Sequence, residues 1–218
     1  MPTVTGLDFA TQAYSYRNSG IPYSQLDCIH FVNQVRIDLG LRSMLNGTNT
    51  LWRSNNLTWK GTLAQAYQRW GVNSWNQLPQ GILVFRIKSE SDPTYDSPPI
   101  PQRYYMDGIG NVTHVGIMTG MGQGIMQSGG YGGTGVHESG WRNGYWTHCA
   151  IQMNVEYPEP IDPDDPNPPD PDDPTPPDPD DPNPPSPPDP SDPSTMPPWF
   201  IMLIKSKRKE CRRPCRKI

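Results

Sequence analysis

The sequence predicts an α+β domain over residues 1–156, in which N-terminal helices pack on a small antiparallel β-sheet. Three observations carry this prediction. Apolar residues recur with a helical period before Gly71, short apolar runs separated by glycine-rich turns dominate after it, and the composition changes abruptly near residues 157 and 199. The chain is therefore divided into this domain, a Pro/Asp-rich extended spacer over 157–198 and a short tail over 199–218.

Three segments are predicted to be helical. Residues 10–16 form a short helix that ends at Asn18-Ser19-Gly20. Residues 28–39 carry apolar side chains at 28, 29, 31, 32, 35 and 39, a helical period, and glycine follows directly. Residues 62–70 form a third helix, which ends at Gly71.

Strands are predicted in the second half of the domain. The apolar run GILVFRI at 81–87 is typical of a buried strand, and the segments 113–119 and 124–128 flank a glycine-rich turn, which indicates a hairpin. Residues 148–155 form the last predicted strand. The segment 88–108 is rich in Pro, Asp and Ser, so a long loop is expected there.

The charge of the domain is balanced, with ten Lys and Arg against nine Asp and Glu in residues 1–156. A nearly neutral domain has no electrostatic attraction for nucleic acid, so we expect none as a partner. No apolar run reaches the ~18 residues that a membrane-spanning helix needs, and residues 1–10 lack the basic start and apolar stretch of a signal peptide. We therefore expect no transmembrane segment and no secretory signal.

The spacer contains an eight-residue repeat in three consecutive copies, DPDDPNPP, DPDDPTPP and DPDDPNPP, over 162–185. Proline at this density removes backbone donors and fixes φ, so neither helix nor sheet is expected. Repulsion between the aspartates extends the segment further, and at ~3.1 Å per residue the whole spacer reaches on the order of 100 Å. It is interpreted as a stiff spacer, and the alternative is a ligand for proline-binding domains.

The tail begins with six apolar residues, WFIMLI, and continues as KSKRKECRRPCRKI. This order suits docking on an anionic membrane surface or an acidic polymer. The alternative is a short hydrophobic contact with a partner protein, followed by a solvated basic end. Cys211 and Cys215 have no histidine or second cysteine pair nearby, so no zinc site is expected there.

Cys28 is the first residue of the predicted helix over 28–39. The free N–H groups and partial positive charge of a helix N-terminus favour a thiolate over a thiol, which is how a nucleophilic cysteine is prepared. The alternative is a small buried apolar residue, a common role for free cysteine. Four cysteines do not form a disulfide framework, and we expect Cys28 and Cys149 to be free thiols.

A catalytic thiolate also needs an imidazole that holds it and later protonates the leaving amine. His30 lies two residues along the same helix and therefore points roughly 200° away from Cys28. His114 is a better candidate because it starts a strand whose next residue on the same face is the small Gly116, and the alternative is an ordinary strand histidine. A small face beside a histidine leaves room for a substrate or for a helix end.

The predicted hairpin places a polar side chain next to His114. If the turn is centred on residues 121–122, residue 118 pairs with 125 and residue 116 pairs with 127. Gln127 then lies diagonal to His114 on the same face, within side-chain reach. It is interpreted as the group that accepts the imidazole N–H and fixes its tautomer, and the alternative is an ordinary polar residue at the rim of the sheet.

Taken together, these segments resemble the NlpC-type cell-wall peptidases. In chain order, the motifs are GIPY at 20–23, DCIHFV at 27–32, LPQGILVF at 78–85, HVGI at 114–117 and IMQS at 125–128. The segments NGTNTLWR at 46–53, DGIGNVTH at 107–114 and GVHES at 135–139 resemble the branch of this family found in phages and prophages. Together they span about residues 20–155 in the order of the family.

The resemblance implies a papain-like fold and a set of site residues. Cys28 is the implied nucleophile, His114 the general base and acid, and Gln127 the third polar residue. The family often has histidine in that third position, and glutamine can orient the imidazole but cannot add charge. Tyr23 matches the tyrosine that lies near the oxyanion hole. Trp141 and Trp146, close after a glycine-rich loop, are interpreted as lining a peptide or glycan groove, and the alternative is a position in the core.

The implied activity is that of a peptidoglycan hydrolase, a cysteine endopeptidase that cleaves stem peptides between D-glutamate and a diamino acid, with no metal or cofactor. A phage-encoded enzyme of this kind acts at the bacterial cell wall after lysis or as part of the particle, and the spacer and tail would tether it to a phage tail or envelope partner. The alternatives are an N-acetylmuramoyl-L-alanine amidase with the same triad, a catalytically silent wall-binding or tail module, and an acyl- or amide-exchanging enzyme.

Overall fold

The computed structural model describes residues 3–89 and 107–160, and these form a mixed α+β domain with few helices and a small antiparallel sheet. The elements follow one another in the order β1 (Val4–Thr5), α1 (Gly6–Ser15), α2 (Cys28–Asp38), α3 (Thr48–Trp52), β2 (Leu57–Thr62), α4 (Leu63–Trp70), β3 (Leu83–Lys88), β4 (Asn111–Met118), β5 (Ile125–Ser128), β6 (Val136–Ser139), β7 (His148–Gln152) and β8 (Val155–Glu156). A single 3₁₀ turn at Trp75–Gln77 precedes β3.

The main sheet has six strands in the order β2-β7-β3-β4-β5-β6, and every neighbouring pair is antiparallel. Strands β3, β4, β5 and β6 therefore lie side by side in chain order, while β7 returns to pair between β2 and β3. A separate parallel pair joins β1 to β8 and so brings the two ends of the domain together.

Helices α1 and α2 cover one face of the sheet. In α2 the Asp27 carboxylate caps the helix by accepting the backbone N–H groups of Ile29 and His30. The apolar face of α2, with Phe31 and Val32, packs on Val115 and Ile117 of β4 in the larger hydrophobic cluster. This packing holds the first residue of α2 against the middle of the sheet.

The opposite face carries a second cluster built around Trp146, Met118 and Ile125. Helix α4 joins this side; a capping box between Thr62 and Gln65 starts it, and Gly71 ends it in the left-handed conformation. The sheet therefore has apolar layers on both faces. From Val115 to Met118 the residues of β4 alternate between the two layers, as the period of two in a strand requires. A register shift between His114 and Val112 puts Val112 in the same layer as Val115.

The predicted helices, the strand at 81–87 and the hairpin are confirmed, with bounds that differ by a few residues. The predicted last strand ends at Gln152, and Val155 starts the short β8 instead. Of the predicted loop over 88–108, Lys88 is the last residue of β3, and 90–106 lie outside the described residues. Helix α3 and strands β2 and β6 were not predicted because their sequences, TNTLW, LTWKGT and VHES, have neither a clear helical period nor a strict alternation.

All described residues belong to one compact unit of the chain. Its contacts continue past residue 156: the Tyr157 hydroxyl donates to Gly81 O at 2.9 Å and Trp70 Nε1 donates to Pro158 O at 3.3 Å. Most of the predicted spacer and the whole tail lie outside the described residues. Within residues 3–89 and 107–160, no helix has the length and apolar character to cross a membrane.

Candidate active site

Cys28 is the first residue of α2, as predicted, and its thiol is free and buried, with 5 % of its surface exposed. Three donors face the sulfur: the backbone N–H groups of Val115 and Ile29 and the hydroxyl of Tyr23. Val115 is the residue that follows His114 on β4. The thiol therefore lies against the backbone of the strand that carries the candidate base.

The surroundings of the Cys28 sulfur favour the thiol over the thiolate, whereas a helix start by itself favours the thiolate. Burial raises the pKa of Cys28 to about 11, although the N–H groups of Val115 and Ile29 and the Tyr23 hydroxyl oppose this. The negative charge of Asp27 raises the pKa further. Since the Asp27 carboxylate already accepts the free N–H groups of Ile29 and His30, the helix end has little positive potential left for the sulfur.

His114 and Gln127 are in direct contact, with 2.7 Å between His114 Nε2 and Gln127 Oε1. The predicted register is confirmed: Gly116 pairs with Gln127 and Met118 with Ile125, so Gln127 is the diagonal neighbour of His114. Both side chains are buried. A buried polar pair of this kind is stable because each partner satisfies the other.

The hydrogen-bond partners of Gln127 determine which nitrogen of His114 carries the proton. Gln127 Nε2 donates to Ser139 Oγ at 2.7 Å and to Tyr131 O at 3.1 Å. A backbone carbonyl can only accept, so the amide nitrogen faces Tyr131 and the amide oxygen faces His114. His114 must then donate through Nε2–H, which leaves the lone pair on Nδ1 as the basic position.

The imidazole of His114 is neutral at neutral pH. Burial lowers the pKa of His114 to about 4; the hydrogen bond that His114 donates to Gln127 opposes this, and the charges of His137 and Arg86 add to the lowering. Together with the protonated thiol, this gives a resting pair of thiol and neutral imidazole. A pair in that state transfers its proton during the attack and not before it.

The space beside Gly116 is occupied by an aromatic side chain, and not by a substrate or a helix end as the sequence suggested. A methyl group built on Gly116 would come within 2.9 Å of the Trp146 ring. Trp146 also stacks on His114 with ring centroids 5.6 Å apart, and Tyr145 meets the same imidazole edge-on at 6.2 Å. These rings fix the plane of the imidazole and exclude water from it.

Cys28 and His114 approach the strand from different sides. Cys28 packs with Val115 in the helical layer, whereas His114 packs on Trp146 in the opposite layer. Within the described residues, no hydrogen bond joins the Cys28 sulfur to the His114 ring. Among residues 3–89 and 107–160, the structure thus brings His114 and Gln127 together and places the thiol beside the same strand, without a thiol–imidazole hydrogen bond.

The glycine-rich loop after β5 passes next to both halves of the site. A methyl group on Gly129 would lie 2.5 Å from the Tyr23 ring, and one on Gly130 would lie 2.7 Å from His114 Nε2. Both glycines have positive φ, 72° and 78°. The loop therefore needs glycine at these positions both for its backbone conformation and for the closeness of its neighbours.

Tyr23 lies at the mouth of the site, with 44 % of its surface exposed. Burial of its hydroxyl raises the pKa of Tyr23 to about 12, and the charges of Cys28 and Asp27 contribute. The hydroxyl therefore stays protonated and remains a hydrogen-bond donor.

From Tyr23 an open groove of about 530 Å³ runs along α2, lined by Asp27, His30, Asn33 and Gln34 among others. His30 pairs with Asp27 at 2.8 Å.

Trp141 does not join the other candidate residues. It stacks on Trp75, with centroids 5.5 Å apart and the rings nearly parallel, and its indole N–H donates to Asn143. Its role in a substrate groove stays a prediction. Trp146, which the sequence also offered as a groove residue, is 1 % exposed and belongs to the core.

A metal centre has no support in this part of the chain. Within residues 3–89 and 107–160, no three His, Cys, Asp or Glu side chains are grouped so that they could hold a metal ion. Cys149 is fully buried in the Trp146 layer, and burial raises its thiol pKa well above the ordinary value. Its sulfur is therefore a core side chain.

Three residues of the site were missed by sequence reasoning. Ser139 and Tyr131 hold the amide of Gln127, and Tyr145 packs on His114. Ser139 lies at the end of β6, a strand that the sequence did not reveal, and Tyr131 contributes a backbone atom, which leaves no signature in side-chain chemistry. The only signal for either was the short segment GVHES and the glycine-rich run around residue 131.

Comparison of the chain with protein-family models, with curated proteins and with solved structures gave no match.

Proposed function

We propose that the domain is a papain-like cysteine peptidase of the NlpC type that hydrolyses stem-peptide amide bonds of bacterial peptidoglycan. The observation that carries the proposal is the placement of a buried thiol at a helix start, against the backbone N–H of Val115. This residue directly follows His114, whose Nε2 lies 2.7 Å from Gln127 Oε1. A cysteine, an imidazole and an orienting polar group in this order are the parts of a nucleophilic acyl-transfer site.

In the first half-reaction, His114 Nδ1 takes the proton of the Cys28 thiol as the sulfur attacks the amide carbonyl. The new S–C bond produces a tetrahedral oxyanion, which the backbone N–H of Cys28 and the Tyr23 hydroxyl are placed to stabilise. His114 then gives the proton to the leaving amine, and the C–N bond breaks.

In the second half-reaction, water attacks the thioester with His114 again as the base. The C–O bond forms, the C–S bond breaks, and the proton returns to the sulfur. Neutral His114 suits both steps, because its low pKa keeps Nδ1 free to accept a proton at neutral pH.

The mechanism requires the His114 ring and the thiol to come into contact in the substrate complex. Catalytic hydrogen bonds are often long in the free enzyme and tighten when substrate binds. The polar groove along α2 begins at Tyr23 and Asp27, next to the thiol, and we assign the stem peptide to it. The spacer and tail are then a tether to a phage tail or envelope partner, and the site of action is the cell wall.

A second candidate function is a catalytically silent wall-binding module. The observation that favours it is the absence of a hydrogen bond between Cys28 and His114 within the described residues, together with a thiol pKa of about 11. Such a module would keep the groove and the polar pair but would not turn over its ligand.

The experiment is digestion of purified muropeptides by the full chain, with products identified by mass spectrometry. We compare wild type with Cys28→Ala and His114→Gln, and Cys149→Ala is the matched control because that thiol is buried in the opposite layer. Cleavage after D-glutamate that both active-site variants lose supports the proposal. Release of intact stems identifies an amidase instead. Equal cleavage by Cys28→Ala overturns the proposal, and binding without cleavage by wild type favours the silent module.

A further inference from the structure

We propose that Tyr131 is a positioning residue of the site: its backbone carbonyl sets the tautomer of His114 through the amide of Gln127. The inference rests on the proposed function and adds to it the device that keeps Nδ1 of the imidazole available as the base. Tyr131 lies in the glycine-rich loop between β5 and β6.

The side chains of His114, Gln127 and Ser139 lie on the neighbouring strands β4, β5 and β6, and each is the diagonal neighbour of the next. Gln127 is diagonal to His114 because Gly116 is its direct partner, and Ser139 is diagonal to Gln127 because Ile125 is the direct partner of Ser139. All three side chains face the Trp146 side of the sheet and are buried. The amide of Gln127 is therefore surrounded by protein groups and shielded from bulk solvent.

Of the groups around the amide, the Tyr131 carbonyl is the one whose hydrogen-bonding role is fixed. His137 Nε2, 3.4 Å from Gln127 Nε2, donates or accepts according to the tautomer of its ring. Ser139 Oγ accepts from Nε2 in the observed orientation, but a hydroxyl can equally donate to an amide oxygen. Tyr131 O, 3.1 Å from Gln127 Nε2, can only accept. A flipped amide would set two carbonyl oxygens against each other, and His114 would then have to carry its proton on Nδ1.

The position of this carbonyl is held from both ends of the loop. The Tyr131 hydroxyl donates to Gly140 O and accepts from Trp146 Nε1 at 3.3 Å. The His137 ring lies between loop carbonyls, with Nδ1 2.8 Å from Gly135 O and Nε2 3.1 Å from Tyr131 O. The peptide that carries the carbonyl joins Tyr131 to Gly132, and Gly132 has a φ of 90°.

Gly132 offers a test that leaves the site sterically intact. A methyl group there would meet nothing closer than 3.5 Å, at His137 Nε2. Gly132→Ala therefore acts through backbone conformation alone, because an L-residue avoids this φ, and it turns the Tyr131–Gly132 peptide away. Gly40→Ala is the matched control: Gly40 has a φ of 73°, its methyl would also be unobstructed, and it lies at the end of α2.

The experiment is ¹⁵N NMR of the histidine side chains in the full chain at neutral pH, with His114 assigned by its loss in His114→Gln. We expect wild type to show the Nε2–H tautomer. Gly132→Ala should lower the ratio of Nε2–H to Nδ1–H by about fivefold, the effect of one net hydrogen bond. Gly40→Ala and Ser139→Ala should leave the ratio unchanged, since the Ser139 hydroxyl serves both amide orientations.

An Nδ1–H tautomer in wild type overturns the inference without any variant, and so does an unchanged ratio in folded Gly132→Ala. If Ser139→Ala changed the tautomer ratio as much as Gly132→Ala, the Ser139 hydroxyl would be the group that orients the amide, and the inference would also be overturned. The tautomer is measured without turnover. A correct tautomer in a chain that cleaves no muropeptide would therefore reject the proposed function and leave this inference standing.

Discussion

The carboxylate of Asp27 caps the helix that begins at Cys28, and the same charge opposes ionisation of the Cys28 thiol. One residue thus stabilises the helix and keeps its neighbour protonated. The two roles are separable, because asparagine caps a helix about as well as aspartate and carries no charge.

We expect Asp27→Asn to lower the pKa of Cys28 below about 11 while the helix stays capped. The labelling rate of Cys28 by iodoacetamide at pH 8 should rise severalfold, since the thiolate is the reactive form. Labelling is read peptide by peptide by mass spectrometry, which separates Cys28 from the other cysteines. Asp8→Asn, which removes a carboxylate from the first turn of α1, is the control and should leave the rate unchanged. A rate that is equal in Asp27→Asn and wild type would show that burial alone sets the thiol pKa.

Local patterns in the sequence were enough to predict the helix start at Cys28 and the contact between His114 and Gln127. A capped helix and a tight hairpin are specified by neighbouring residues, and the period of two in a strand then carries the register from the turn to residue 127. His114 and Gln127 lie thirteen residues apart in the chain, and the capping residue Asp27 directly precedes Cys28.

The remainder of the site depends on packing between distant segments. The space next to Gly116 is filled by Trp146, thirty residues later in the chain, and the amide of Gln127 is held by β6. The charge states of Cys28 and His114 follow from burial, which no local pattern reveals. The face of β4 on which each residue lies became clear only once α2 and Trp146 were in place.

The low pKa of His114 predicts how stability changes with pH. The pKa is about 4 in the folded chain against an ordinary value of 6.5, so the unfolded chain binds a proton first as the pH falls. The stability contributed by the neutral, buried ring is fully present above pH 6.5 and is lost between pH 6.5 and 4, up to about 3 kcal/mol. Urea unfolding at several pH values should show this decrease in wild type, and His114→Gln should show a shallower one. Parallel curves for the two proteins would contradict the assigned pKa.

A charge in place of the Gln127 amide should move the acid limb of the activity. Gln127→Glu sets a carboxylate against His114 Nε2, which favours the imidazolium and raises the pKa of His114 above about 4. We expect the acid limb of kcat/KM on a soluble muropeptide to shift to higher pH by one unit or more. Gln152→Glu is the control, because Gln152 is equally buried but contacts Arg36. An acid limb at the same pH in Gln127→Glu and wild type would show that residue 127 does not contact the base that titrates.

Gly130 should tolerate no side chain. Its φ of 78° disfavours any other residue, and a methyl group would come within 2.7 Å of His114 Nε2, 2.8 Å of Gln127 Oε1 and 2.9 Å of the Tyr145 hydroxyl. Gly130→Ala should therefore break the His114–Gln127 hydrogen bond and lower kcat by ~100-fold or more, the scale of general acid–base catalysis. Gly144→Ala has nearly the same φ, 73°, and open space around it, so it should lose only the ~1 kcal/mol of backbone strain and keep its turnover. Similar kcat values in the two variants, with similar melting temperatures, would mean that the loop over His114 moves aside without effect on catalysis.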